Sequence, residues 1–465
     1  MSQPLSTPDP SGDNPLKGSS LWSALINRRS RRFGAGMKMP EGPLAFESRF
    51  DPVPLSDSEE AALTFSASGI SGRVLADLSF GKAQGGNIMV GLVGRTIASG
   101  DGIQSVSLAV TNDNATYLIK RPQELLADEV IGLIDLAKNG RLSEIYQRQR
   151  VRLKSARSAP PVEPLMNINV NRWSANAAGS TTFVPLNDLS LLYINGLLEI
   201  FNEETGAFIL DERASFRPAG IGQFARSKGG HLEDDPAKGK LATVKHVELM
   251  VAEFASIEQG LMLQNLALTC EALGLGGFPY FANHETAWFD AFGFEMATMP
   301  ASRYLGMNAL IGGVMRLLGK DSPVRYPIGL NHGGEPLLKP FCPPAYPSMR
   351  NAVEAVVERK FGTTGTFSKD NKLNAWSNPD QVGTRTPRIS EKAIEATVAY
   401  CEYLWKRYGR FPAHIPAYRT VMAFQAAHLD AEFYDKFYQP DALTQTHRDD
   451  FAKWSGKPRM DTNSH

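Results

Sequence analysis

The stretch from Val244 to Leu273 constrains this chain more than any other. Its apolar residues recur at helical spacing without a proline, and Gly274-Leu275-Gly276-Gly277 follows, glycines suited to a C-cap and a tight turn. A helix of that length draws its stability from neighbours packed on its apolar face, so the chain must supply a core around it. It has the means, with 465 residues, 42% of them apolar and 21% charged, the balance of an ordinary soluble globular protein. One large domain with an extension, or two domains, are both allowed. Lys+Arg and Asp+Glu number 49 each, so no overall field recommends nucleic acid or an anionic membrane as a partner.

The three cysteines, Cys270, Cys342 and Cys401, are odd in number, far apart and in no Cys-x-x-Cys spacing. That argues against a disulfide framework or a structural zinc site and fits a reducing cytoplasm. Met1 to Ser19 lacks the apolar core of a secretory signal and reads as a disordered tail, and no later run is long and apolar enough to suggest a membrane span.

Along the chain, Leu21 to Arg32 is the first segment of helical periodicity, with Ser19 or Ser20 placed to cap it. A Pro- and Gly-rich connector, 34–54, leads to Ser56-Asp57-Ser58-Glu59-Glu60, a capping sequence that opens a helix through about Ser68. A glycine-rich run, 69–102, precedes an alternating strand at 104–110, a turn at 111–114 and a second strand at 115–119, a hairpin. Helical patterns fill 123–150. A linker at 155–164 begins an expected insertion, 155–240, which holds a buried segment at 189–201 and a polar loop near Ser227. From 344 to 465 the pattern is mostly helical, interrupted at Pro379, Pro387, Pro412 and Pro416.

Asn27-Arg28-Arg29-Ser30-Arg31-Arg32-Phe33 carries the strongest local chemistry. Guanidinium groups can fork phosphate oxygens while a hydroxyl adds a further bond, each charge-assisted contact contributing roughly 1.5–3 kcal/mol before screening. The competing reading is a solvated basic helix end that complements the helix dipole. His428 and Glu432, four apart, could share a helical face as metal ligands, but a capped, solvated helix accounts for them better and no metal is expected. Gly220-Ile221-Gly222-Gln223-Phe224-Ala225 fits a dinucleotide fingerprint in spacing yet lacks a buried strand before it. His284 and Trp288 could line a site after the glycine loop, though packing roles are the commoner outcome. Cys270 sits among apolar neighbours and reads as inert core.

The Arg-x-Ser-x-Arg spacing at Arg28, Ser30 and Arg32 resembles the opening motif of the nitroreductase-like FMN-dependent oxidoreductases. Three further stretches resemble that family in the same order: 55–72, ending Ala67-Ser68-Gly69-Ile70-Ser71-Gly72, then Arg95-Thr96-Ile97-Ala98-Ser99, then 257–278 with its Gly-Leu-Gly-Gly turn. The stretches 55–72 and Arg95–Ser99 are similar to the branch containing azoline (thiazole/oxazole) dehydrogenases, although Ala98 replaces the usual proline and the Lys-Tyr pair of azoline-oxidising members is absent. The resemblance implies an α+β fold with a nitroreductase-like three-layer core, a central antiparallel sheet flanked by helices over residues 20–343, and a mostly helical extension over 344–465. It implies a homodimer with two FMN sites at the subunit interface. Arg28, Ser30 and Arg32 would hold the phosphate, Arg95 and Ser99 would lie near the ring, and the Gly276 and Gly277 backbone would lie against it. The expected activity is hydride transfer between flavin and a small organic substrate, ping-pong, with NAD(P)H as reductant. The alternative is a catalytically silent binding protein on the same fold without flavin.

Overall fold

The computed structural model describes residues 14–78, 88–160, 172–281 and 285–456. Its frame is an antiparallel sheet in the spatial order Gly276–Phe281, Met422–Ala427, Thr181–Asp188, Val106–Thr111, Thr116–Ile119 and Arg150–Lys154, with Tyr418–Arg419 also pairing with Thr181–Asp188. Helices and antiparallel strands together make the class α+β.

Strand alternation sends side chains to two cores. Val106, Leu108, Val110 and Phe183 pack under the central helix Val244–Leu273 through Met262, Leu263 and Leu266. Ala109, Val184 and Leu186 face the other way, onto Trp288, Phe289 and Phe292. The central helix, at 1.5 Å per residue, runs roughly 45 Å. Thr243 caps its start by accepting from the His246 amide, and Gly274 ends it at φ +78°, donating to Cys270. The helix Asp57–Ser68 opens on a reciprocal cap in which Ser56 Oγ accepts from the Glu59 amide at 3.3 Å and Glu59 accepts from the Ser56 amide at 2.8 Å.

A further core joins parts far apart in sequence. The helices Leu189–Ile200, Met349–Phe361 and Glu391–Tyr408 pack together with Val247, Val251 and Ala255 of the central helix, and Tyr193 and Tyr400 share a hydroxyl hydrogen bond of 2.6 Å. The expected insertion and the expected extension therefore cover one another.

Three expectations need correction. The stretch 155–240 is not an insertion, because it supplies Thr181–Asp188, which lies inside the central sheet between Met422–Ala427 and Val106–Thr111. The stretch from 344 onward is not a helical appendage, because Met422–Ala427 lies inside the central sheet, between Gly276–Phe281 and Thr181–Asp188. Helical spacing to Arg32 also overreads the first helix, which stops at Asn27. At Arg28 the backbone turns to φ −55°, ψ +116°, and Arg31 bridges to Gly277. Among the described residues no helix is long and apolar enough to cross a membrane.

Candidate functional site

The turn out of the first helix decides what its arginines can do, since an extended backbone sends neighbouring side chains to opposite sides. Arg31 goes inward. Its Nη1 meets Glu271 Oε2 at 2.7 Å, with both side chains 4% exposed, and its Nε donates to the Ala442 carbonyl at 2.7 Å. Arg32 is half-buried, its guanidinium over the Trp173 ring at 5.0 Å and the Phe278 ring at 4.5 Å, with Nη2 donating to Ser174 Oγ at 2.7 Å. Burial moves Arg32 below the usual arginine range.

Arg28 and Ser30 point elsewhere. Ser30 is exposed, Arg28 is half-buried, and neither makes an ion pair or side-chain hydrogen bond among the described residues. Arg29 is exposed, and its guanidinium donates to nearby carbonyls, Ile26 at 3.2 Å and Arg28 at 3.1 Å. One short run therefore spends two guanidiniums on its own fold and leaves two at the surface. Beside them the first helix exposes Leu21, Trp22, Leu25 and Ile26, and it packs on the central helix, which exposes Leu249, Met250, Phe254 and Ile257. The last three, at i, i+4 and i+7, make one stripe.

The residues expected beside a flavin ring are engaged by the chain itself. Arg95 is buried and donates to the Ser68 carbonyl at 3.0 Å and the Val106 carbonyl at 2.9 Å, stapling a helix end to the sheet. Burial pushes it down to about 10, so it stays cationic at neutral pH. The Ser99 hydroxyl donates to Glu258 of the central helix and accepts from the Gln104 amide at 2.9 Å. The same carboxylate accepts from Ser105 and, at 3.2 Å, from Asn187 Nδ2. A Cβ on Gly276 would sit 2.9 Å from the Arg31 carbonyl and collide with Leu429, and one on Gly277 would sit 2.6 Å from the Phe424 ring and 2.8 Å from Cys270 Sγ. The glycines are thus required by internal packing, and their α-carbon faces are filled by protein.

The metal reading around His428 takes a different form. His428 precedes the helix Ala431–Phe437, and Glu432 is held by Arg49 in a two-pronged pair at 2.7 and 2.8 Å. His428 lies between two other acids, Asp450 Oδ2 at 2.8 Å from Nδ1 and Glu59 Oε2 at 3.5 Å from Nε2. The three groups come close enough, within 4.8 Å of one another, to offer ligands to a metal. With a carboxylate at each ring nitrogen, an imidazolium satisfies both at once. Burial alone would lower His428, but the hydrogen bonds to Asp450 and Glu59 outweigh it and lift the ring to about 9. Burial would likewise raise Glu59, and His428 and Ser56 bring it down to about 2.

His284 lies outside the described residues. Trp288 is fully buried in the core, packed among Phe289, Phe292 and Phe294. Of the dinucleotide-like glycines, Gly222 opens a short 3₁₀ turn, Gly222–Phe224, and Gly220 precedes it, after the exposed two-residue strand Arg217–Pro218. All three cysteines are buried, and burial pushes the Cys270 thiol well up.

No family model matches the chain, and no curated protein matches it in sequence. Among solved structures it is similar to a protein from Ralstonia eutropha JMP134 assigned as a nitroreductase, at 13% identity over 63% of this chain and 81% of that one, with a TM-score of 0.29. A superposition that loose carries no argument, so the functional reading rests on the residues.

Proposed function

We propose that this chain is an FMN-dependent oxidoreductase of nitroreductase-like type, passing hydride between flavin and a small organic substrate, with NAD(P)H as reductant. The observation that carries the reading is the division of the arginine run: Arg31 and Arg32 turn into the fold, while Arg28 and Ser30 stay uncommitted beside an apolar helix surface. A guanidinium and a hydroxyl without protein partners suit a phosphate, and an apolar surface alongside suits a second copy of the chain. In this reading Arg28 and Ser30 hold the FMN phosphate, with Arg32 at its inner edge, and the homodimer forms over Phe254 and Ile257. Bound FMN would supply the hydride chemistry. The protein's part is to fix the phosphate, to keep Arg95 cationic, and to exclude water once two copies close.

One observation favours the second reading, a flavin-free binding protein on the same framework. The spaces at Gly276 and Gly277 are taken by Arg31, Leu429, Phe424 and Cys270. Anaerobic mixing with NADPH separates the two. The oxidoreductase reading expects bleaching of flavin absorbance followed by reoxidation with an added quinone, and steady-state double-reciprocal plots with parallel lines. A protein whose spectrum does not respond to NADPH or NADH contradicts it.

A further inference from the structure

Away from the first helix, a cavity of about 810 Å³ opens between the loop 213–218, the segment 302–316 and the end of the helix Glu391–Tyr408. Five arginines line it, Arg213, Arg217, Arg303, Arg316 and Arg407, and among the described residues no aspartate or glutamate does. Only two of the five have carboxylate partners among the described residues. Arg407 Nε lies 3.1 Å from Asp211, which stands behind the wall and also accepts from the Tyr403 and Tyr408 hydroxyls, and Arg316 Nε is 3.9 Å from Asp321. Arg213, Arg217 and Arg303 have none, and Arg213 Nη1 is buried with no hydrogen-bond partner.

Like charges gathered in one concavity repel, and a buried guanidinium nitrogen left unbonded is costly, so the arrangement needs a counterpart. Burial first, then the charges of Arg213 in the cavity wall and Arg410 outside it, hold the nearby His414 down to about 4. The backbone also makes room for the arginines. A Cβ on Gly306, at φ +65°, would sit 2.9 Å from Arg213 Cδ, and one on Gly409, at φ +70°, would collide with the Arg303 guanidinium. Ser215 and Phe216, at the rim, both hold positive φ, +57° and +55°, a strained conformation for residues with side chains.

We propose that this cavity is a binding site for a small organic molecule carrying two or more phosphate groups. Guanidiniums fork phosphate oxygens, several can share one pyrophosphate, and the volume suits a nucleotide-sized body, with the Tyr403 and Tyr408 rings at hand. The same phosphate chemistry is offered by a lipid headgroup, and the helix Ala309–Leu317, which lines the cavity through Gly312, Gly313 and Arg316, exposes Leu310, Val314 and Leu317.

Titration calorimetry of the full-length protein with inorganic pyrophosphate, at low salt, tests the site. Saturable binding is expected, weakened by at least roughly tenfold in Arg213→Ala/Arg303→Ala, since each lost charge-assisted bond is of that size. Arg217→Ala, at an exposed side chain without partners, should fold normally and weaken binding in the same direction. Co-sedimentation with phosphatidylglycerol vesicles, against phosphatidylcholine, distinguishes the sources. Pyrophosphate binding without pelleting supports the free ligand proposed, and pelleting that is lost in both Arg213→Ala/Arg303→Ala and Leu310→Ser/Leu317→Ser assigns the cavity to a lipid headgroup and overturns it. No saturable binding of pyrophosphate at millimolar concentration, or binding that survives Arg213→Ala/Arg303→Ala and Arg217→Ala, overturns the proposal.

Discussion

Arg31 and Glu271 are joined by a 2.7 Å ion pair from which solvent is almost excluded, and it ties the exit of the first helix to the last turn of the central one. Removing one partner strands the other charge in the interior. Arg31→Met or Glu271→Gln should lower unfolding free energy by about 3–5 kcal/mol, and Arg31→Met/Glu271→Met by much less. Arg28→Ala, at a side chain without protein partners, should change it by less than about 0.5 kcal/mol. Urea unfolding of the four variants checks the contrast, and equal losses for Arg28→Ala and Arg31→Met would contradict it.

The clamp of Glu59, His428 and Asp450 makes stability depend on pH with a definite sign. His428 is lifted from 6.5 to about 9, so its contribution is complete below pH 6.5 and is lost as pH rises through 9. Glu59 is lowered from 4.5 to about 2, so its contribution is present above pH 4.5 and is lost as pH falls through 2. The clamp should therefore stabilise most between about pH 4.5 and 6.5, and the wild type should lose on the order of 1–3 kcal/mol between pH 6.5 and 9. Thermal melts across that window test this, with His428→Gln expected to flatten the alkaline decline.

Gly276 and Gly277 should resist enlargement for reasons of packing. Alanine at either position must displace Leu429, Phe424 or the Arg31 backbone, at a cost of about 1–3 kcal/mol. Alanine at Gly72, where an added Cβ meets nothing within 4 Å and φ is not positive, should be near neutral. Denaturant midpoints for the three single variants decide the point.

The exposed stripe on the central helix should report the oligomeric state. Phe254 and Ile257 are 50% and 58% exposed, and Phe254→Asp/Ile257→Asp should turn a dimer into a monomer by sedimentation velocity without lowering its melting as an isolated chain. A wild-type protein that is already monomeric at micromolar concentration would remove the homodimer from the account.

Much of this architecture was legible locally. The cap at Ser56 and Glu59, the hairpin around 111–114 and the central helix with its Gly274 end depend on neighbouring residues, and each lies where the sequence places it. Partnerships made by long-range packing were not legible. Nothing near Met422 announces a strand inside the main sheet, because its pairing with Gly276–Phe281 joins residues more than a hundred positions apart. At the site, sequence spacing brought out the arginine run but not which members turn inward, since Glu271, Trp173 and Phe278 decide that from elsewhere in the chain. The arginines of the cationic cavity are scattered from 213 to 407 and form no motif at all.

In the proposed oxidoreductase, Arg28 and Ser30 hold the phosphate of a bound FMN. Titration of FMN into flavin-depleted full-length protein, followed by flavin fluorescence, tests it most directly. Saturation at one FMN per subunit is expected, with affinity lowered by at least roughly tenfold in Arg28→Ala/Ser30→Ala and riboflavin, which lacks the phosphate, binding weakly to both proteins. Fluorescence that does not change on mixing, or FMN binding that Arg28→Ala/Ser30→Ala leaves intact, would contradict it.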